Sequence, residues 1–256
     1  MMKKIILLFC LIFILSIPTT SFAWGIEFAG GAWYQKPSGD MSFDKSTNAD
    51  DLDLENNLNY DDQWKAFGRL IIDTPLFFPN IYFMYTPMKW DEPGNKDVDF
   101  NFGGVDFQAD VDFESELKLN HFDVALFWGL PFIDTATKDV LNIDLGLNVR
   151  LMDVKAEIEQ KDLNLKESVS YFLPLPMLYT GVQIKPLKYI ALEFEGRGTG
   201  WDSYYYISLI GRLKAKPYGP LFIAGGYRYD KINVDYDDLD IDAKFQGPFA
   251  EAGLEF

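Results

Sequence analysis

The stretch LNIDLGLNVRLMD, residues 141–153, decides the fold of this chain. Leu141, Ile143, Leu145, Leu147, Val149 and Leu151 hold the odd positions, while Asn142, Asp144, Gly146, Asn148 and Arg150 hold the even ones. Side chains of a strand point alternately to its two faces, so this segment has one aliphatic and one polar face. A strand crossing a bilayer needs ~9–11 residues of such alternation. Soluble strands are mostly shorter, ~5–6 residues, and seldom sustain it.

The same alternation recurs outward in both directions. Near the front, Trp24, Ile26, Phe28, Gly30, Ala32 and Tyr34 oppose Gly25, Glu27, Ala29, Gly31, Trp33 and Gln35. Phe122, Val124, Leu126 and Trp128 oppose His121, Asp123 and Ala125; Ile190, Leu192 and Phe194 oppose Ala191, Glu193, Glu195 and Arg197. Leu221, Ile223, Tyr227 and Tyr229 oppose Ala224, Gly226 and Arg228. Ten such stretches are expected, at about 24–36, 63–73, 80–90, 116–128, 140–158, 167–184, 188–198, 203–215, 220–231 and 242–256. An even number returns both termini to one side, as bacterial barrels require. The expected fold is all-β: a transmembrane antiparallel β-barrel of about ten strands, with both termini periplasmic.

The two ends of the chain fit that reading. MMKK, the apolar run Ile5–Ile17 and small residues at Ser21 and Ala23 make residues 1–23 a secretory signal peptide, leaving residues 24–256 as the barrel domain. Cys10 lies in this leader, so the exported chain has no thiol for a disulfide or a nucleophile. At the other end, Ala250, Ala252, Leu254 and Phe256 share an apolar face up to the last residue. A closing strand has a use for that face where a fraying soluble terminus does not.

Charge narrows the partners. Without Lys3 and Lys4, 21 basic side chains face 39 acidic ones, a net charge of −18. So acidic a chain is no partner for nucleic acid. The connections fall into two kinds. TPLFFPN, GLPFIDTATKD, KPLK and KPYGP are compact, whereas residues 37–62, 91–114 and 230–242 are acidic, and the first two are long. Short turns facing long loops is the asymmetry of an outer-membrane barrel, with the loops outside the cell. The bland alternative is a secreted soluble β-sandwich.

The chain also resembles a family of small proteobacterial outer-membrane proteins of unassigned function, marked by a double glycine near the mature N-terminus. The matching pieces are EFAGGAWYQKPSGD with Gly30 and Gly31, DLDLENNLNYDD, SELKLNHFDVALFW, LNIDLGLNVRLMD, PLPMLYTGVQI, AGGYRYDKINVDYDDLDID and FQGPFAEAGLEF, in order over nearly the whole exported chain. The resemblance implies a fold and a location in the outer membrane, with no substrate, cofactor or catalytic residue. The ending Leu254–Phe256 resembles the C-terminal signal read by the barrel-assembly machinery.

Projected from the alternation, Glu27, Arg69, His121, Asp123, Asp144, Arg150, Glu193, Glu195, Arg197, Arg212, Arg228, Glu251 and Glu255 point into the lumen. They fit either a narrow polar pore for ions and small polar solutes or a network of ion pairs that fills the barrel. His121 and Asp123, two residues apart on one face, fit an acid–base dyad such as ten-stranded outer-membrane aspartyl proteases carry. The bland reading is a lumen histidine bonded to its carboxylate neighbours. The acidic loops fit weak, nonspecific binding of divalent cations, including bridges to lipopolysaccharide phosphates, but lack the spacing of a defined metal site. A surface-binding module acting through these loops is a further alternative. The expected function is a non-enzymatic outer-membrane barrel, structural or narrowly conducting, without a cofactor.

Overall fold

The computed structural model describes residues 24–43, 50–75, 77–201, 204–236 and 239–256; the leader expected over residues 1–23 lies outside them. Fourteen strand segments account for most of this chain: β1 (Gly25–Phe43), β2 (Leu52–Asp53), β3 (Gln63–Asp73), β4 (Asn80–Thr86), β5 (Lys89–Gly94), β6 (Phe100–Phe102), β7 (Val105–Phe107), β8 (Phe113–Gly129), β9 (Leu141–Gln160), β10 (Leu165–Leu187), β11 (Ile190–Trp201), β12 (Tyr204–Tyr218), β13 (Leu221–Tyr236) and β14 (Leu239–Glu255). A short helix α1 (Ile133–Thr137) sits in one turn. All pairings among the described residues are antiparallel; most join successive strands, β1 also pairs β3, both β4 and β5 pair β8, and β14 returns to β1 from Glu27↔Glu255 to Phe43↔Leu239. With β4 and β5 forming one interrupted stave, the sheet closes as a ten-stave barrel. The last residue seals the seam, its N–H donating to the Ile26 carbonyl at 2.9 Å.

The staves run past the bounds of the ten expected stretches, and the reason is chemical. Along β9 the outward side chains are Leu145, Leu147, Val149 and Leu151, then Asp153, Lys155, Glu157 and Glu159. Inward, the polar pair Asn148 and Arg150 gives way to Met152, Val154, Ala156 and Ile158, all buried. The barrel therefore inverts partway up. An apolar-outside belt lies nearer the termini, and above it an apolar-inside extension carries charge on its outer wall. β8 switches outward from Trp128, Leu126, Val124 and Phe122 to Asn120, Lys118, Glu116 and Glu114, and β10 from Leu178 and Phe172 to Ser170, Ser168 and Lys166.

Residues 230–242 were expected as an acidic loop, yet 230–236 end β13 and 239–242 begin β14, paired from Asp230↔Phe245 to Tyr236↔Leu239. Their outward acids are what a soluble strand shows water, while Ile232, Leu239 and Ile241 are buried. Likewise residues 37–43 continue β1, and the loop at 91–114 contains β5, the hairpin β6–β7 and the start of β8. The stave expected over 80–90 breaks at Pro87–Met88, because proline brings no N–H to the ladder. Asn120 splices the gap by accepting from the Met88 N–H at 2.7 Å, and Gln35 donates to the Pro87 carbonyl at 2.9 Å.

Loop aromatics close the extended end. Phe43, Leu52, Leu54, Leu58, Phe100, Phe102, Phe107 and Phe113 are buried together there. Several loop carboxylates bind backbone: Asp53 accepts from the N–H groups of Glu55 and Asn56, and Asp99 from that of Ala109 at 2.7 Å. Asx caps of this kind fix turns. Of the glycine pair, Gly31 faces inward where a Cβ would lie 2.5 Å from the Ala250 carbonyl oxygen and 2.7 Å from the Phe67 ring, while one on outward Gly30 would meet nothing within 4 Å. Gly226 makes the matching approach beside Phe249. The glycines accommodate rings and neighbouring backbone.

Candidate functional site

The lumen is layered. At the end carrying the termini a cavity of about 390 Å³ opens among Asp73, Asn80, Asp144, Lys185, Glu193 and Glu255. Asp144, half-buried on its wall, accepts from the Asn142 amide at 2.9 Å.

Immediately inward lies a tier of charges contributed by five staves, β1, β3, β11, β12 and β14. Arg69 bonds Glu251 at 2.8 Å and also pairs with Glu27. Arg212 reaches Glu195 at 2.7 Å and Glu193 at 3.3 Å, and Arg197 reaches Glu195 at 2.9 Å. Lys214 bridges Glu27 and Glu255, the latter at 2.6 Å. The Arg197 guanidinium lies 4.6 Å from the Tyr82 ring centroid and 5.1 Å from that of Tyr179. Such stacking is favourable for a desolvated guanidinium. Each of these cations is buried, so the shared carboxylates hold them where lone charges would be prohibitively costly.

A plug of Trp33, Phe67, Met84, Ile210 and Phe249 covers the first tier and leaves a void of only about 10 Å³. Above it a second polar tier is built on β4, β8, β9 and β13. Arg150 grips Asp123 with two hydrogen bonds, Nε to Oδ1 at 2.9 Å and Nη2 to Oδ2 at 2.8 Å. Asn148 donates to the same carboxylate at 2.8 Å. Arg228 bonds Asp230 at 2.8 Å and Thr86 at 2.9 Å, and its guanidinium lies over Trp33 at 4.4 Å. A third layer, including Leu119, Met152, Val154, Ile232 and Ile241, encloses about 20 Å³. Neither void has room for a chain of water, since about one probe sphere, ~10–15 Å³, holds a single molecule.

His121 sits in the second tier, and its contacts differ from expectation. Its Nδ1 lies 3.0 Å from the Leu119 carbonyl, which requires the proton there, so Nε2 accepts from Arg228 Nη2 at 3.1 Å. Asp123 is 4.0 Å away and makes no hydrogen bond to the ring. Histidine thus supports an arginine, and Asp123 is satisfied by Arg150 and Asn148. Both His121 and Asp123 are sealed from solvent.

Of the candidate residues, Glu27, Arg69, Glu193, Glu195, Arg197, Arg212 and Glu251 meet in the first tier, and His121, Asp123, Arg150 and Arg228 in the second. Asp144 stands apart on the cavity wall. Lys214, Asp230, Asn148 and Thr86 complete the tiers and were not among the candidates, although their positions in alternating stretches carry the signal. Asp230 follows Arg228 by two residues, at the overlap between the stretch expected at 220–231 and the acidic connection 230–242. Thr86 and Asn148 are uncharged, and a lone neutral polar residue in a strand carries little signal of a lumen network.

No protein-family model and no curated sequence matches the chain. Solved structures with similar folds are outer-membrane barrels. The outer membrane protease OmpT from Escherichia coli superposes with a TM-score of 0.50 at 10% identity, covering 93% of this chain and 98% of that one. The translocator domain of autotransporter NalP from Neisseria meningitidis gives 0.47 at 9% identity over 99% and 95%. The CymD monoaromatic hydrocarbon channel gives 0.37 at 10% identity over 93% and 89%. At 10% identity the likeness to the protease speaks for the fold alone. The chain has the architecture of an outer-membrane β-barrel.

Proposed function

We propose that this chain is a closed, non-enzymatic barrel of the bacterial outer membrane, structural rather than conducting. Its termini and short turns lie in the periplasm, and its charged extension stands outside the cell. The observation that carries the reading is the alternation of ion-pair tiers with apolar plugs, which leaves voids of about 10 and 20 Å³ between them. A permeant ion would have to displace Trp33 or Met152 as well as break a buried pair. In this setting the apolar belt contacts lipid, the outer wall contacts lipopolysaccharide, and divalent ions bridge its carboxylates weakly to phosphates. The barrel-assembly machinery inserts the chain, with Leu254 and Phe256 as its recognition element. The non-enzymatic part rests on His121 and Asp123, which are enclosed and committed to Arg228 and Arg150.

The test is planar-bilayer recording of the refolded protein at high salt. The expected record is flat. Discrete, reproducible steps at wild-type protein would overturn the closed-barrel reading. Conductance appearing only in a variant with the plug truncated, Trp33→Ala with Phe249→Ala, would support it.

A further inference from the structure

One seam of the barrel is not closed along its length. β9 and β10 pair without interruption from Gln160↔Leu165 to Leu141↔Ile184. On its other edge β10 pairs β11 only from Leu187↔Ile190 to Leu178↔Gly198. Among the described residues, no strand pairs with β10 on that edge from Leu165 to Met177. β11 itself continues to Trp201, paired only with β12 there.

The sequence explains where the ladder stops. Hydrogen-bonding groups of successive residues alternate between the two edges of a strand. The β9 ladder passes through Pro174↔Leu151 and Pro176↔Val149 intact, so the ring nitrogens of both prolines face the β11 edge. In register, the next hydrogen-bonding pair after Leu178↔Gly198 would join Pro176 to Gly200, and proline has no N–H to give. The ladder ends at that missing donor.

The side chains on the open side are missing as well. Gly196, Gly198 and Gly200 all lie on the outward face of β11. A Cβ on Gly198 would have no neighbour nearer than 3.8 Å, and one on Gly200 none nearer than 3.5 Å. The result is a cleft of about 600 Å³ in the barrel wall, walled by Leu147, Val149, Pro176 and Leu178, with backbone of Gly198–Gly200 along its far side. That volume lies within the ~300–1,000 Å³ of small-molecule sites. Behind it, Asn148 and Met177 belong to the packed interior, so the cleft is a notch and not a door into a channel.

From this geometry we infer that the β10–β11 notch is a seat for one acyl chain of a membrane lipid in the leaflet next to the charged extension. The inference rests on the membrane reading above. Its occupant follows from the surroundings: Leu147 is 64% exposed and Leu178 71%, both within the apolar belt, while Asp153 and Ser170, just above on β9 and β10, mark the belt's charged edge. Whatever fills the notch approaches from the hydrocarbon side, must be apolar along most of its length, and must be thin enough to lie between two staves. A lipid chain meets all three conditions. It also covers the unpaired strand edge that would otherwise face hydrocarbon, a placement open backbone tolerates poorly.

The experiment refolds the full chain into phosphatidylethanolamine–phosphatidylglycerol vesicles containing a phospholipid with a mid-chain diazirine. After irradiation, adducts are mapped by mass spectrometry. Residues 147–149, 176–178 and 198–200 should be labelled several-fold more than Val124, Leu126, Ile207 and Leu209 at similar depth. Gly198→Leu with Gly200→Leu fills the notch from outside and should bring labelling down to the level of the surrounding belt. Pro174→Ala with Pro176→Ala restores two donors and should do the same by closing the seam. Folding of each variant is checked by heat-modified migration on gels. Even labelling around the belt would overturn the notch and leave the membrane barrel standing, as would labelling that persists in the filled variant. Cross-links joining two copies through this face would also overturn it, replacing lipid by a second protomer. Absence of label from the entire belt would overturn the membrane reading itself.

Discussion

The Arg150–Asp123 pair offers the sharpest test of a packed lumen. In Arg150→Met the carboxylate loses two hydrogen bonds, of 2.9 and 2.8 Å, and keeps only the Asn148 amide. Both side chains are fully buried, and the neighbouring cations Arg197 and Arg228 are already committed to Glu195 and Asp230. Removing one member of a buried pair costs ~3–5 kcal/mol, because the remaining charge is uncompensated. An exposed pair in a water-filled pore would yield only ~0–1 kcal/mol. The same substitution therefore separates the two descriptions of the lumen by several kcal/mol. Adding Asp123→Asn removes the orphaned charge, retains an acceptor for Asn148, and should recover most of the loss. The assay is urea unfolding of the refolded barrel in micelles, followed by tryptophan fluorescence. A cost below ~1 kcal/mol for Arg150→Met, or a double variant no better than the single, would refute a desolvated second tier.

Other expectations follow from the faces of the staves. Leu145→Arg, in the middle of the β9 belt, should cost ~2–4 kcal/mol in refolding titrations from lipid vesicles, whereas Lys155→Leu on the outer wall should change stability by under ~0.5 kcal/mol. Burial raises the Glu157 carboxyl, but hydrogen bonds and charge from Lys166 and Lys155 outweigh it and hold the group below the usual range. Glu157 thus stabilises the fold above its unfolded pKa and ceases to do so as pH falls through its lower folded value. Wild type and Glu157→Gln should consequently converge in acid unfolding only below about pH 4.5, and high salt should narrow the gap at neutral pH. Finally, peptide and lipid A substrates incubated with wild type and with His121→Asn should be left uncleaved by both, as judged by mass spectrometry. Cleavage by wild type alone would restore the acid–base dyad.

The belt was legible because lipid and lumen impose opposite chemistry on successive residues. Leu145 and Arg150 announce their faces without reference to any other strand. The extension above the belt was harder to read. There the outward residues are Asp153, Lys155, Glu157 and Glu159, and residues 230–242, which hold the end of β13 and the start of β14, read by composition alone as an acidic loop. Only the buried Ile232, Leu239 and Ile241 between those acids betray a strand. Pairing within the lumen was out of reach. Parity places His121 and Asp123 on one face, but which arginine each meets depends on the stagger of β8 against β9 and on β13 across the barrel. The notch lay equally hidden, since only the β10–β11 register sets Pro176 opposite Gly200, where the ladder has ended.

The most direct test of the whole account is a spin-label scan of β9 from Leu141 to Glu159 in lipid vesicles. Labels at 145, 147 and 149 should be accessible to oxygen and shielded from a water-soluble nickel complex. At 153, 155, 157 and 159 that preference should reverse, and labels at 148, 150, 152 and 154 should be shielded from both. That pattern would establish a belt in hydrocarbon, an extension in water and a closed interior along one strand. Nickel access at 145–149 would contradict the membrane belt, and nickel access at 148 and 150 would contradict the packed lumen.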